Sequence, residues 1–370
     1  MKHNQILSGV DAHHRALTST AAAIATVVPL LIGSLPASAE TRGYVISWFA
    51  TATNNPDFVK NCPQAAKDPN RVQFVVAANR GRTYRALVDG KPVPPLNYPD
   101  AVQNEPNFEP VAGEYAYGFD LGGSDANKFV DPDTHEKVDN QLWRALGCDP
   151  QFQATPPRAP YFQEEAWMNF TDSSPGWVIQ ISGTDLSKDG PVTVTLDRTF
   201  RHPERDALGG IRSDVTYVLD PAPRSHNVLS GEIKNGVLTI KPSSVYLEGS
   251  MTWYSEISLK DIHMRMHTEP GKLVGYWGGY TDWHKWAYQC TSRPAAGCDG
   301  VGYYRTLEKF ADADPDPVTG KNRMISTTWR VEAVPAYIAT KDGKVVAEAS
   351  SAGLGGVVGA STVAVDPTAH

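Results

Sequence analysis

The sequence has no stretch in which basic residues cluster, and its overall charge is negative. Its 34 Lys and Arg residues are outnumbered by 41 Asp and Glu residues, which gives a formal net charge of −7 at pH 7. Nucleic-acid binding depends on clustered Lys and Arg side chains that neutralise phosphates. Attachment to an anionic membrane surface depends on a polybasic segment. The composition therefore argues against both kinds of partner.

The sequence also lacks the short motifs that carry well-known catalytic chemistry. It contains no GxSxG nucleophile elbow, no HExxH zinc motif, no phosphate-binding loop and no glycine pattern of a dinucleotide-binding turn. A glycosidase needs two carboxylates that face each other across a cleft. Candidates for such a pair are Glu164, Glu165 and Glu256. Sequence alone does not place two of them across a cleft. No reaction is assigned from motifs.

Long apolar runs are scarce, and the prominent one lies near the N-terminus. Lys2 and Arg15 precede "AAAIATVVPLLIGSL", and the small residues Ala37 and Ala39 follow it. This order is typical of a secretory signal, so we predict that residues 1–39 are a signal peptide. A transmembrane anchor is the alternative, but the run is shorter than the roughly 20 residues of a spanning helix. We expect an exported protein, periplasmic or secreted, whose mature form does not span a membrane.

Cysteines are few, and all four lie in the part of the chain predicted to be exported. An even number of cysteines outside the cytoplasm is typical of disulfide bonds, and four cysteines allow three pairings. No CxxC pair supports zinc, and CxxCH, the haem-attachment motif, is absent. The pairing that we favour joins Cys62 to Cys148 and Cys290 to Cys298, the second pair closing the short loop "CTSRPAAGC".

Alternation of apolar and polar residues is the dominant pattern of the remaining chain. In "PVTVTLDRTF", Val192 and Val194 alternate with Thr193 and Thr195, which indicates a half-buried strand. In "LSGEIKNGVLTIK", the Asn-Gly pair predicts a two-residue hairpin turn. We therefore predict an all-β, mainly antiparallel fold, a β-sandwich of jelly-roll type with a few short helices.

Helical patterns are short, and the chain divides into regions of different composition. "DNQLWRALGC" and "VGYYRTLEKFADA" each have apolar residues at helical spacing. We predict a loop-rich N-terminal β region over residues 40–165 and the main β-sandwich over residues 166–340. The small, apolar residues of 341–370 suggest a flexible tail.

One stretch, from Ile257 to Cys290, carries most of the candidate functional residues. Its apolar residues change phase near Lys260 and Asp261, so a β-bulge or a break is expected there. Beyond that point three polar residues share the outer face of the strand, in a row suited to an acidic sugar, with histidine available as acid or base: His263, Arg265 and His267. A solvated strand face opposite a methionine-rich core is the alternative interpretation.

The same stretch continues into a dense group of aromatic residues with glycines between them. Tyrosine and tryptophan gather where one side is apolar and the other is wet, so this group is a candidate sugar-binding surface. Filling the open end of a sandwich is the alternative. The predicted ligand-binding rings are Tyr276, Trp277, Tyr280, Trp283 and Trp286. Asp282 and His284 flank Trp283 and are the polar candidates.

Two acidic loops carry oxygen ligands of the kind that calcium prefers. Neither loop has the spacing of an EF-hand, and a turn rich in Asp and Pro needs no metal. The loop "DPDTHEKVDN" supplies Asp131, Asp133, Asp139 and Asn140. The loop "DADPDPVTGKN" supplies Asp312, Asp314, Asp316 and Asn322, which form a possible structural calcium site. No other cofactor is expected.

Several segments, "VDNQLWRALGC", "GEIKNGVLTI", "VGYWGGYTDW" and "YRTLEKFADADPDPVTGKN", resemble a family of exported proteins of Gram-negative bacteria. The resemblance extends from Tyr44 to Ile338. It implies a shared fold and compartment, and because the family has no assigned activity it transfers no catalytic residue.

Three hypotheses about function follow. The leading one is an exported, lectin-like protein that binds a ligand such as a glycan through the aromatic and glycine-rich surface and Arg265. The alternative is a polysaccharide hydrolase or lyase that uses His263, His267, Asp282 or His284. The third is a structural protein of the cell envelope without a small ligand.

Overall fold

The fold is mainly β-sheet, as the alternating sequence pattern predicted. The computed structural model describes residues 39–54, 58–67, 86–93, 109–148, 152, 167–168, 171–172, 174–249, 256–285 and 300–355. The strands in chain order are β1 (Glu40–Thr51), β2 (Ala86–Val88), β3 (Lys91–Val93), β4 (Phe129–Val130), β5 (Lys137–Val138), β6 (Trp177–Gly183), β7 (Gly190–Arg198), β8 (Val215–Val218), β9 (Asn227–Lys234), β10 (Val237–Ile240), β11 (Ser243–Glu248), β12 (Glu256–Glu269), β13 (Lys272–Asp282), β14 (Ala313–Pro315), β15 (Asn322–Ala339) and β16 (Val345–Ala349).

Helices are short, and two of them coincide with the two segments predicted as helical. The helices span Phe58–Asn61, Pro63–Lys67, Gln141–Leu146 and Gly300–Phe310, and 3₁₀ turns span Asp125–Asn127 and Pro223–Ser225. The helix Gln141–Leu146 begins after Asn140, whose side chain accepts a hydrogen bond from the Trp143 backbone N–H at 3.1 Å. Such a cap satisfies one of the free N–H groups of the first turn. Among the residues that the structure describes, no helix has the length and apolar character needed to cross a bilayer.

The main sheet curls until its strands meet again. In order, β1, β6, β7, β9, β10, β12, β13 and β15 pair with their neighbours, and β15 pairs with β1. All of these pairings are antiparallel, whereas β8 and β16 add parallel pairings at the side. The two halves of the sheet therefore face each other across one core, which is the sandwich-like arrangement expected from the sequence.

Every second side chain of the strands points into this core. On β12 the inner residues are Ile262, Met264 and Met266, all buried, and on β7 Val194 is fully buried while Thr193 is exposed. The predicted hairpin is confirmed: Asn235 and Gly236 both have positive φ, and the flanking residues pair in the expected register. The predicted change of phase is also confirmed. The register of β12 shifts between Lys260 and His263, and Asp261 has a φ of 51°.

The N-terminal region contributes to the main sheet and also has a small core of its own. Strand β1 lies between β6 and β15, within the single compact unit Ser38–His370. Cys62 and Cys148 form a disulfide bond with a Cα–Cα distance of 5.4 Å, as predicted, and they are buried beside Trp143. The second predicted disulfide, Cys290 with Cys298, lies outside the described residues.

The start of the segment predicted as a flexible tail is structured. Val345–Ala349 form strand β16, in which Ala347 packs into a cluster on the outer face of the sheet. Leu354 is buried in the main core, and the guanidinium of Arg42 donates hydrogen bonds to the Ala352 and Gly353 carbonyls at 2.9 Å. The tail prediction is therefore wrong for these residues, because Leu354 supplies the apolar group that covers one end of the core.

An asparagine side chain bridges β9 and β11, two strands that are not paired with each other through backbone hydrogen bonds. The Asn227 amide donates to the Tyr246 carbonyl at 2.9 Å and accepts from the Tyr246 N–H at 2.9 Å. These two bonds reproduce the pattern that a neighbouring strand would make. A side chain at the first residue of β9 thus continues the sheet where the backbone does not.

We predict that Asn227→Ala lowers the free energy of unfolding by about 1–3 kcal/mol, because it leaves two backbone groups of Tyr246 without partners. Chemical denaturation monitored by tryptophan fluorescence measures the change. Asn127→Ala is the control, since Asn127 is exposed and its side chain makes no hydrogen bond among the described contacts. Equal stability of the two variants would contradict the bridging role.

Candidate functional site

The outer face of β12, β13 and β15 carries the row of polar residues that the sequence predicted. The strand register aligns these residues with those of the two neighbouring strands in three rungs. Together the rungs form the candidate site, which consists of His263, Gly278 and Thr328, then Arg265, Tyr276 and Arg330, then His267, Val274 and Glu332. The middle rung places a tyrosine directly between two arginines.

A buried ion pair fixes the middle rung. The Arg265 guanidinium donates to Asp131 at 2.9 Å, and Asp131 is fully buried. The carboxylate also accepts from the backbone N–H groups of Gly118, Asp133 and Thr134 at 3.0–3.2 Å. Burial opposes ionisation of Asp131, but the bonds from Thr134 and Arg265 outweigh it and hold its pKa below the ordinary value. Asp131 is therefore an anchor for Arg265 whose two oxygens already have hydrogen-bond partners.

Aromatic rings of the N-terminal region cover part of the site. Tyr117 stacks on Tyr276 with ring centroids 4.6 Å apart, and Arg265 lies 5.4 Å from the Phe119 ring and 5.8 Å from the Tyr276 ring. A Cβ atom on Gly278 would lie 2.3 Å from the Phe119 ring, so only glycine permits this approach. The face of Tyr276 that was predicted to stack on a sugar is therefore occupied by Tyr117.

The prediction of an aromatic binding surface is wrong for Trp277 and Trp283, the two tryptophans of the predicted surface that lie among the described residues. Trp277 is 0% exposed and donates its indole N–H to the sulfur of Met266 at 3.2 Å. Trp283 is 1% exposed and donates to the Asn322 carbonyl at 2.9 Å. Trp277 belongs to the inner face of β13, while Tyr276 belongs to the outer one, because side chains alternate along a strand.

Two further rings complete the predicted set. Tyr280 is half-buried on the outer face, and its hydroxyl donates to the Leu121 carbonyl at 3.0 Å. Burial is the main cause that raises its pKa, with the carboxylate of Asp312 adding to the effect. Trp286 lies outside the described residues. Tyr280 therefore helps to hold the N-terminal region in place.

The four catalytic candidates do not converge. Asp282 accepts from the His284 backbone N–H at 2.9 Å and lies 3.3 Å from its Nδ1, which makes a local turn. Burial opposes ionisation of Asp282, but the bonds from His284 hold its pKa below the ordinary value. His267 pairs with Val274, eight residues before Asp282, which corresponds to roughly 25 Å along a strand. His263 lies beside the Phe119 ring, at a centroid distance of 5.7 Å.

The residues of the predicted calcium loop point to different partners. Asp312 accepts from the backbone N–H and the hydroxyl of Ser326, both at 2.7 Å. Asp314 pairs with Arg323 and Lys260, Asp316 caps its own turn, and Asn322 donates to the Ala311 carbonyl. In the described part of the chain no three Asp, Glu, His or Cys residues are grouped to hold a metal ion.

Several important residues escaped the sequence interpretation. Tyr117 and Phe119 lie in "EYAYGFD", where aromatic residues alternate with small or acidic ones, and this period of two is a signal for a segment that covers a sheet. The partnership of Asp131 with Arg265 has no such signal, since the two residues are 134 positions apart.

Comparison of the chain with protein-family models, with curated proteins and with solved structures finds no match.

Asp312 provides a test of the packing beside the site. Burial raises its pKa to about 6, against the opposing bonds from Ser326 and with help from the nearby Asp139 carboxylate. A folded-state pKa above the unfolded value stabilises the fold at low pH, and this stability is lost as the pH rises through 6. We predict that Asp312→Asn removes this loss of stability. Between pH 4 and 6 the free energy of unfolding of the variant therefore rises relative to that of the wild type by at most about 3 kcal/mol.

Urea denaturation of both proteins at pH 4, 5, 6 and 7 measures the difference. Asp314→Asn is the control, because the hydrogen bond from Arg323 lowers the pKa of Asp314. This variant is therefore expected to gain no stability relative to the wild type between pH 4 and 7. A constant difference between wild type and Asp312→Asn across these pH values would contradict the assignment.

Proposed function

We propose that the protein is an exported, non-catalytic binding protein whose ligand is an acidic glycan, held on the outer face of β12, β13 and β15. The observation that carries the proposal is the middle rung, where Arg265 and Arg330 lie on either side of Tyr276. Guanidinium groups recognise carboxylates and sulfates through paired N–H donors. An acidic sugar supplies such groups at regular intervals along a chain.

Unused hydrogen-bond donors support a ligand at this rung. A guanidinium has five N–H donors, and the contacts described for Arg265 use one of them, with Asp131. Arg330 directs two donors to one oxygen of Glu332, at 3.1 and 2.8 Å, and its side chain is 40% exposed. His267, at the next rung, is half-exposed. The Arg265 side chain is 22% exposed.

Two acidic residues of this face, Glu332 and Asp131, are already engaged by cations, which limits their repulsion of an anion. Glu332 is held by Lys272 at 2.9 Å as well as by Arg330. Burial opposes its ionisation, but these two cations outweigh burial and keep its pKa below the ordinary value. Asp131 is enclosed beneath Arg265. The ligand is expected to contact the guanidinium groups and not these carboxylates.

We predict that Arg330→Ala weakens binding of an acidic oligosaccharide at least tenfold, because one charge-assisted interaction contributes about 1.5–3 kcal/mol. Isothermal calorimetry with a polygalacturonate oligosaccharide and a sulfated dextran fragment measures it, with maltohexaose as the neutral comparison. Arg212→Ala is the matched control, because Arg212 is also an exposed arginine paired with a glutamate, Glu204, away from this face.

Each outcome separates the three hypotheses. Tight binding that Arg330→Ala reduces and Arg212→Ala leaves unchanged supports the proposal. An equal loss of affinity in both variants would mean that the ligand is attracted by general charge, which would contradict a specific site at Arg330. Release of reducing ends or of unsaturated products from the same oligosaccharides would replace the proposal by a hydrolase or lyase. If the protein neither binds nor cleaves these oligosaccharides, the result would favour a structural envelope protein.

A further inference from the structure

Residues 115–146 of the N-terminal region form a cover over the outer face of β12, β13 and β15. Three side chains of the cover contact this face: Tyr117 stacks on Tyr276, Phe119 lies against Gly278, and Asp131 bonds to Arg265. Part of the candidate site is therefore closed for as long as the cover stays attached to the sheet.

A short chain of hydrogen bonds joins the cover to β15 and to Asp312. The backbone N–H of Gln141, in the cover, donates to Oγ of Ser326 on β15 at 2.9 Å. Ser326 in turn donates its hydroxyl and its backbone N–H to the two oxygens of Asp312, each at 2.7 Å. Ser326 is fully buried, and the helix Gln141–Leu146 packs against both β15 and the helix Gly300–Phe310 that precedes Asp312. The carboxylate of Asp312 thus lies at the junction between the cover and the sheet.

A second carboxylate faces this junction from the cover. Asp139 is 1% exposed, and its Oδ2 accepts from the backbone N–H groups of Leu121 and Gly123 at 2.9 and 3.3 Å. Burial is the main cause that raises the pKa of Asp312 to about 6, and the charge of Asp139 adds to the rise against the bonds from Ser326. Ionisation of Asp312 therefore places two negative charges in a poorly hydrated junction.

The other groups at the junction do not supply a compensating positive charge. Tyr280 of β13 faces both carboxylates, and burial, with their charges added, raises its pKa, so the phenol stays neutral. Lys128 lies near Asp139, but its ammonium is 2.8 Å from Asp120. Among the described contacts no Lys, Arg or His side chain bonds to Asp312. The charge of Asp312 is stabilised by the two bonds from Ser326 and by no cation.

Detachment of the cover would hydrate Asp312 and return its pKa towards the ordinary value of 3.8. Between this value and about 6, the closed junction binds a proton that the open one does not. Low pH therefore favours the closed cover, and this preference is lost as the pH rises through 6.

We propose that residues 115–146 are a pH-sensitive cover, which stays closed over the outer face in acidic surroundings and opens more readily at neutral pH. Opening removes Tyr117 from the ring of Tyr276 and separates Asp131 from the guanidinium of Arg265. A stacking surface and further N–H donors then become available. Their use by an acidic glycan rests on the proposed function, whereas the opening itself follows from the junction at Asp312.

The test is backbone hydrogen exchange of the protein without ligand at pH 5 and pH 7.5, measured by mass spectrometry and corrected for the intrinsic exchange rate at each pH. A pKa of about 6 in the closed state and 3.8 in the open state requires the opening equilibrium to rise about tenfold between these pH values. We expect this rise in peptides from residues 115–146. Peptides from β7 and β9 are expected to exchange more slowly than the cover at both pH values, because local opening precedes global unfolding.

Three variants assign the effect to the junction. Asp312→Asn keeps the shape of the side chain but does not titrate, so the tenfold rise is expected to disappear. Asp314→Asn is the matched control, because Asp314 is also a carboxylate of this segment but is bonded to Arg323, and the rise is expected to remain. Asp139→Asn removes the neighbouring charge, so the rise is expected to begin at lower pH.

Two results would overturn the proposal: equal protection of the wild-type cover at both pH values, or a rise that persists in Asp312→Asn. Exchange of the cover at the same rate as β7 and β9 would also overturn it, since the opening would then be global. The wild-type measurement decides the matter even if a variant fails to fold. Because no ligand is present, failure of this test leaves the glycan site standing, and failure of the oligosaccharide binding test leaves the cover standing.

Discussion

The ion pair between Asp131 and Arg265 sets the arrangement of the outer face on which the candidate site lies. A carboxylate enclosed by protein is costly unless its oxygens are bonded. Here they accept three backbone N–H groups and one guanidinium. Because three of these donors belong to the N-terminal region and the fourth to β12, the pair holds this region against the main sheet. Removing one partner of such a pair costs about 3–5 kcal/mol in general.

The position of the N-terminal region decides which aromatic rings remain open. Phe119 reaches the sheet because Gly278 has no side chain, and Tyr117 then covers Tyr276. The face that results is less aromatic and more cationic than the sequence suggested. The same covering leaves Arg330 and His267 exposed, so recognition of an anion fits this face better than stacking on a neutral sugar.

Local patterns predicted a large part of the fold, since each depends on only a few neighbouring residues. The alternation in "PVTVTLDRTF", the turn at Asn235-Gly236 and the change of phase at Asp261 are all determined by backbone geometry within one or two strands. The pairing of Cys62 with Cys148 was predicted from compartment and loop length. Such signals identify strands and turns without assigning their neighbours in space.

The candidate site depends on contacts between distant parts of the chain, and the sequence did not predict these. The alternation that places Tyr276 outside places Trp277 inside, yet a crowd of aromatic residues suggests a single surface. The bridge made by Asn227 and the bond between Asp197 and His226 likewise depend on which strands adjoin. No local spacing encodes these neighbours, because they are set by the way the sheet closes.

A double-mutant cycle at the ion pair tests the central claim most directly. The free energy of unfolding is measured for the wild type, Asp131→Ala, Arg265→Ala and the double variant. If the pair holds the N-terminal region against the sheet, the two substitutions couple by about 1–3 kcal/mol. If their effects add to within about 0.5 kcal/mol, the two side chains act independently and the account is contradicted.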